Sequence, residues 1–269
     1  MDAPPVTFGF STCPNDTFAF HALVHGLVPG PRVTPVMDDI EALNLRAERG
    51  EAEVTKVSIA AYGRLRDRYV LLRAGGAAGF GVGPIIVARS KREVGGRVAI
   101  PGERTTAALL LRLLGRFETV PMRFDQIEDA VLRGEVECGL LIHEGRFTYE
   151  GKGLTLLVDL GTAWEKRMQC PLPLAAIAIR RDLAPALAPA MDQALRASVE
   201  YAFAHPDASR DYVAAHAKEM DPDVMARHIR LYVNDYTRAL DARAVRRMIG
   251  WAEEEALFPK GDPALPVFA

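Results

Sequence analysis

His143 stands in the stretch Gly139-Leu140-Leu141-Ile142-His143-Glu144-Gly145-Arg146-Phe147-Thr148-Tyr149, where aliphatic residues give way to an imidazole beside a carboxylate. Imidazole titrates near neutrality, which suits it to proton abstraction, and Glu144 or Arg146 could tune or orient the ring. The carboxyl end of a strand is where open α/β sheets place their ligands. A packing or surface histidine at a strand end fits the same letters, and spacing alone leaves both readings open.

Other candidate groups gather at turns. Lys56, Val57 and Ser58 fall where a strand is expected to pass into a helix, a place that faces ligands. The Lys56 amine either binds a substrate carboxylate or pairs with a structural acid. Thr105 and Thr106 offer hydroxyls and backbone N–H groups at a helix start, which attracts a carboxylate or phosphate, although capping alone explains them too. Asn15 and Asp16 follow Pro14 and read equally as helix caps or as ligand contacts. Cys13, in the same turn, is either a nucleophile with a lowered pKa or a small buried residue. His21 and His25 share a helix face, but without the glutamate of H-E-x-x-H or a third ligand they read as packing, so no metal site is expected.

No G-x-G-x-x-G or Walker A pattern occurs in a strand-to-helix context, which disfavours a nucleotide cofactor. With 269 residues, 49% of them apolar, the chain can bury a substantial core. A formal charge of -2 and a pI near 6.3 give none of the basic surplus that nucleic-acid binding requires. Three cysteines at long spacings fit a reducing compartment. The sequence shows neither a secretory leader nor an apolar run long enough for a membrane span, so a cytoplasmic protein with a small-molecule partner is expected.

The elements that must position these groups alternate. Strands are expected at Val6 to Phe10, Arg32 to Val36 and Ala52 to Lys56, with helices at Thr17 to Val28, Ile40 to Glu48 and Ile59 to Leu65. A glycine-rich run, Gly75 to Gly83, leads to the strand Pro84 to Arg89 and the linker SKREVGG. The pattern restarts with strand Arg97 to Ile100, helix Ala107 to Leu114, strand Val120 to Phe124, helix Gln126 to Leu132 and strand Gly139 to Ile142. Strands at Val158 to Leu160 and Ala175 to Ile179 follow. From Pro185 onward helices dominate, broken at His205-Pro206, at Asp221-Pro222 and near Asn234. This predicts an α/β protein of two lobes, a large one over 1–89 and 174–269 with C-terminal helices and a small one over 90–173, with the ligand between them.

The blocks FSTCPNDTFAFHALVHG, TKVSIAAYGRLRDRYVLLRAGGAAGFGVGP, PGERTTA and LLIHEGRFTY, in this order along nearly the whole chain, resemble the 1,4-dihydroxy-6-naphthoate synthase family of the futalosine pathway to menaquinone. Thr12 stands where that family usually has proline. The resemblance implies a fold similar to type II periplasmic binding proteins, with an interlobe cleft. It implies conversion of cyclic dehypoxanthinylfutalosine to 1,4-dihydroxy-6-naphthoate and dihydroxyacetone, without metal or organic cofactor. Carried over by position, His143 resembles the proton acceptor, Lys56, Val57 and Ser58 one substrate-binding turn, and Thr105 and Thr106 another, with Asn15 and Asp16 as cleft residues. Two other readings of the same fold stand beside it: a chorismate dehydratase-like sibling enzyme and a non-enzymatic binding protein for a small acid.

Overall fold

A computed structural model describes residues 4–218 and 221–269. The first half runs β1 (Val6–Phe10), α1 (Pro14–Val24), β2 (Val33–Met37), α2 (Ile40–Glu48), β3 (Val54–Ser58), α3 (Ile59–Leu65), β4 (Tyr69–Leu71), β5 (Ala77–Gly79) and β6 (Ile85–Ala88). Then come β7 (Arg97–Ile100), α4 (Thr106–Leu111), β8 (Glu118–Pro121), α5 (Ile127–Arg133), β9 (Cys138–Leu141), α6 (Gly145–Thr148), β10 (Thr155–Asp159), α7 (Leu160–Met168) and β11 (Leu172–Arg180). Among the described residues five helices follow: α8 (Ala184–Ala204), α9 (Arg210–His216), α10 (Pro222–Tyr232), α11 (Asp235–Arg238) and α12 (Ala242–Glu254).

The strands form two sheets. One has the order β2-β1-β3-β11-β4 with β5 also on β11, and the other has the order β10-β6-β9-β7-β8. In the first sheet β1 runs parallel to β2 and β3, while the late strand β11 returns antiparallel beside β3. In the second, β7 runs parallel to β8 and β9, and β6 lies antiparallel to β9. The parallel cores are the two βαβ units expected from the alternating pattern.

One boundary is corrected. Pro84 to Arg89 reads as the last strand of the first lobe, yet β6 lies within the second sheet, so the chain changes sheets between β5 and β6 and not in the SKREVGG segment. Apolar alternation shows that a strand exists but not which sheet it joins. The return crossing lies between α7 and β11. Beside the first crossing the chain pinches: a Cβ on Gly83 would stand 2.2 Å from the Gly161 Cα, so both positions require glycine for backbone contact.

The helix α1 starts earlier than expected. Pro14 occupies its first turn, where a missing N–H costs nothing and a fixed φ fits the helix, and Cys13 holds the cap position. Asn15 and Asp16 therefore sit inside the first turn and do not cap it. The helix is buried beneath α8, α9 and α10, and the Ser198 hydroxyl of α8 donates to Ala19 O at 2.7 Å. A buried core of Phe8, Phe10, Phe20, Leu195 and Val199 joins α1 and α8 to the first sheet. A larger cluster runs through both sheets and includes Trp164 and Trp251, 5.7 Å apart in an edge-on arrangement.

Candidate active site

Between the sheets lies a cleft lined by Ser11, Asn15, Lys56, Ser58, Thr105, Thr106, His143 and His228, with an apolar wall that includes Ile40, Val82, Ile142 and Tyr232. The strand period explains one part of this selection. Thr55 to Ser58 lies within β3 and not in a turn, so Lys56 and Ser58 face the cleft while Val57 turns into the core and is fully buried. Val57 is thus corrected from a candidate contact to a packing residue as far as its side chain is concerned. Asp16 does not line the cleft either; it lies directly behind it, 1% exposed.

Asp16 organises that wall. Its Oδ2 accepts from the Ser11 backbone N–H at 3.1 Å and the Ser11 hydroxyl at 2.7 Å. Its Oδ1 accepts from Asn15 Nδ2 at 2.8 Å and from the Lys56 ammonium, a buried ion pair. The resulting choice between the two roles of Lys56 goes to pairing with a structural acid, although the residue also borders the cleft.

Ser58 and the two threonines have partners that limit what they offer a ligand. Ser58 holds the cap position of α3 without making a cap bond: its hydroxyl accepts from Asn44 Nδ2 at 3.1 Å, and its N–H donates to Asn44 Oδ1 at 2.9 Å. The hydroxyl hydrogen remains available. Thr105 caps α4, accepting from Ala108 N–H at 3.1 Å and donating to Gly102 O at 2.8 Å. Thr106 donates to Leu174 O at 2.7 Å and accepts from Ala60 N–H at 3.3 Å, which ties α4 to the first sheet across the cleft.

His143 follows β9 and enters from the other side. Its backbone is left-handed, with φ 56°, a conformation that costs a non-glycine residue about 1–2 kcal/mol and turns the chain sharply after the strand. The ring packs against the edge of Phe124 at 5.0 Å and its Nδ1 lies 3.4 Å from Cys13 Sγ. Nε2 is shielded and has no hydrogen-bond partner among the described residues. Burial lowers the imidazole pKa to about 4; the Asp16 charge opposes this shift and the Lys56 charge adds to it. The ring is therefore neutral, as a proton acceptor must be.

A family model described as menaquinone biosynthesis matches residues 6–254. This chain belongs to the menaquinone-biosynthesis family. It is 50% identical to the 1,4-dihydroxy-6-naphthoate synthase of Thermus thermophilus over 93% of this chain and 94% of that protein. The synthase of the same name from Streptomyces coelicolor is 46% identical over 98% of each chain. Among solved structures, the alkanesulfonate-binding protein of Xanthomonas axonopodis bound to MOPS has a TM-score of 0.73 at 14% identity, covering 97% of this chain and 96% of that one. The fold is thus the two-lobed periplasmic-binding-protein type, built here on a member of the menaquinone-biosynthesis family.

Two features of this family member escape a reading of its sequence. His228 on α10 is 1% exposed, stacks on His143 with ring centroids 6.2 Å apart, and contacts Asn15 Oδ1 at 2.9 Å through Nε2. Because Asn15 Nδ2 is committed to Asp16, its Oδ1 is the acceptor and His228 Nε2 the donor. Burial holds the His228 pKa well below its ordinary value, with the neighbouring His143 and Lys56 acting in the same direction. His228 and Tyr232 are four apart and so share a helix face, which was the available signal, but nothing local says that α10 docks on α1. Asn44, the partner of Ser58, is likewise fully buried and polar with no motif around it.

Arg146 is spent on the loop that carries His143 and not on the ring. Arg146 donates to Gly83 O at 2.6 Å and to Asp159 Oδ2 at 2.6 Å, so it braces the loop against the sheet crossing. The Glu144 Oε1 lies 3.9 Å from His228 Nδ1. His21 and His25 lie with tilted rings 4.4 Å apart on the far end of α1 beside Tyr212, away from the cleft. Among the described residues no helix is long and apolar enough to cross a membrane.

Proposed function

We propose that this chain converts cyclic dehypoxanthinylfutalosine to 1,4-dihydroxy-6-naphthoate, releasing dihydroxyacetone, as a cytoplasmic carbon–carbon lyase. The observation that carries this reading is a neutral histidine with an unpartnered Nε2, His143, at the wall of a cleft in a chain about half identical to proteins named for that product. A binding protein for a small acid has no use for such a group.

In this reading His143 Nε2 takes a proton from a hydroxyl or a carbon of the substrate. The electron pair collapses toward a carbonyl, and a carbon–carbon bond breaks in the manner of a retro-aldol to free the three-carbon fragment. Aromatisation of the remaining ring drives the step. Ser58 O–H, which has no acceptor among the described residues, is the donor best placed on the cleft wall to hold the substrate carboxylate or an incipient oxyanion. A critical donor of this kind contributes about 3–4 kcal/mol to a transition state in favourable cases.

The test is product analysis of the purified protein with the cyclic substrate. The naphthoate and dihydroxyacetone should form in equal amounts. Consumption of chorismate instead would mark a sibling dehydratase, and binding of the cyclic compound without turnover would mark a receptor.

A further inference from the structure

We propose that Glu41 is a positioning residue that sets the width of the cleft. From one face of α2 it grips the turn that carries Thr105, while Asn44 on the same face orients the Ser58 hydroxyl, so the two walls are held at a fixed separation. The inference deepens the reading of the cleft as a substrate site and rests on it for its catalytic meaning.

The grip on the far wall is made to backbone. Glu41 belongs to the lobe of the first sheet, and both its carboxylate oxygens lie 3.1 Å from the backbone N–H of Arg104, in the turn after β7 in the lobe of the second sheet. The next residue, Thr105, lines the cleft. Gly102 opens the same turn with φ 142°, and a Cβ there would stand 2.3 Å from the Glu41 carboxyl carbon, so only glycine lets the carboxylate come this close. Seven residues along α2 from Glu41, Glu48 accepts from the Arg104 guanidinium at 3.1 Å.

The grip on the near wall runs through Asn44, which is fully buried. A backbone N–H can only donate, so the atom that faces the Ser58 N–H at 2.9 Å is Asn44 Oδ1, and the amide orientation is fixed. Its Nδ2 then has two hydrogens and two acceptors, Ser58 Oγ at 3.1 Å and Glu41 Oε2 at 3.5 Å. Ser58 Oγ is an acceptor in that bond, which leaves its own hydrogen for the cleft. Positions 41, 44 and 48 share one helix face, so a single rigid element spans from Ser58 to the Thr105 turn. With the grip released, the lobes spread and fewer molecules present both walls to a ligand at once.

The test measures the radius of gyration of the ligand-free protein by small-angle X-ray scattering and, on the same preparations, kcat and KM for the cyclic substrate. Glu41→Ala should expand the molecule and raise KM by about tenfold to a hundredfold, the value of hydrogen bonds to a charged group. Its kcat should stay near wild type, because bound substrate still draws the lobes together and only the binding-competent population falls. A merely structural loss would lower the active fraction, hence kcat, and leave KM alone. Arg104→Ala keeps the backbone N–H on Glu41 and loses only a partly exposed ion pair, so its KM should stay within about fivefold of wild type. An unchanged radius or an unchanged KM in Glu41→Ala overturns the proposal, as does an equal effect from Arg104→Ala. Should Glu41→Ala fail to fold, Glu41→Gln, which keeps the shape with a neutral acceptor, decides: both quantities should rise by less, and no rise in either overturns the proposal. Expansion of Glu41→Ala in a protein that leaves the cyclic substrate untouched would remove the assigned reaction and keep the grip between the lobes.

Discussion

The Lys56 ammonium and the Asp16 carboxylate form an ion pair whose side chains are only 6% and 2% exposed, at the wall of the cleft. One comes from β3 and the other from α1, so the pair fastens the first helix to the sheet at the point where Asn15 and Ser58 border the ligand space. Breaking a buried pair by removing one partner strands a charge, which costs about 3–5 kcal/mol. Lys56→Met should lose that much in urea unfolding. Asp16→Asn combined with Lys56→Met should recover a large part of the loss, because neither charge remains. Additive losses in the double variant would show that the two residues act separately.

Acid should destabilise the protein through His143. Its folded-state pKa is lowered from 6.5 to about 4, so between those values the unfolded chain binds a proton that the native state refuses. The stability is fully present above pH 6.5 and falls as pH drops toward 4, by up to roughly 3 kcal/mol for this one group. His228 is lowered for the same reason and adds to the slope. Unfolding free energy measured against pH should flatten in His143→Gln. An unchanged slope in that variant would place the titration elsewhere.

The same shift sets the rate profile. Since the base is already neutral at pH 6, kcat/KM should hold level down to about pH 5 and fall only as His143 takes up its proton near 4. An acid limb centred near 6.5, the value of a solvated histidine, would contradict the buried base.

Ser58 and Thr106 should separate under mutation. Ser58 keeps its hydroxyl hydrogen for a ligand, so Ser58→Ala should raise KM by about tenfold or more, the value of a hydrogen bond to a charged group, along with a stability loss of about 1–3 kcal/mol because the buried Asn44 Nδ2 loses its acceptor. Thr106 spends its hydroxyl on Leu174 O and Ala60 N–H, so Thr106→Val should lower stability by a similar amount, about 1–3 kcal/mol, while leaving KM close to wild type. Equal effects on KM from both variants would show that Thr106 also meets the substrate through its hydroxyl.

How much of this was legible beforehand depends on whether the signal was local. Both βαβ units, the proline-marked helix starts and the place of His143 after a buried strand follow from short-range pattern. The sheet membership of β6 does not, because Ile85–Ala88 is apolar throughout and fits either sheet. Val57 faces the core because the strand continues to Ser58, past the end expected at Lys56, and its side chains alternate, so Lys56 and Ser58 face the cleft. His228 meets His143 across 85 positions of chain through the docking of α10 on α1, a contact that no periodicity encodes.

A paired measurement on His143→Gln tests whether His143 takes the proton: single-turnover formation of 1,4-dihydroxy-6-naphthoate together with the affinity for the cyclic substrate. The rate should fall by about two to four powers of ten, the span of general-base catalysis, with affinity close to wild type. A rate within a few-fold of wild type would contradict it.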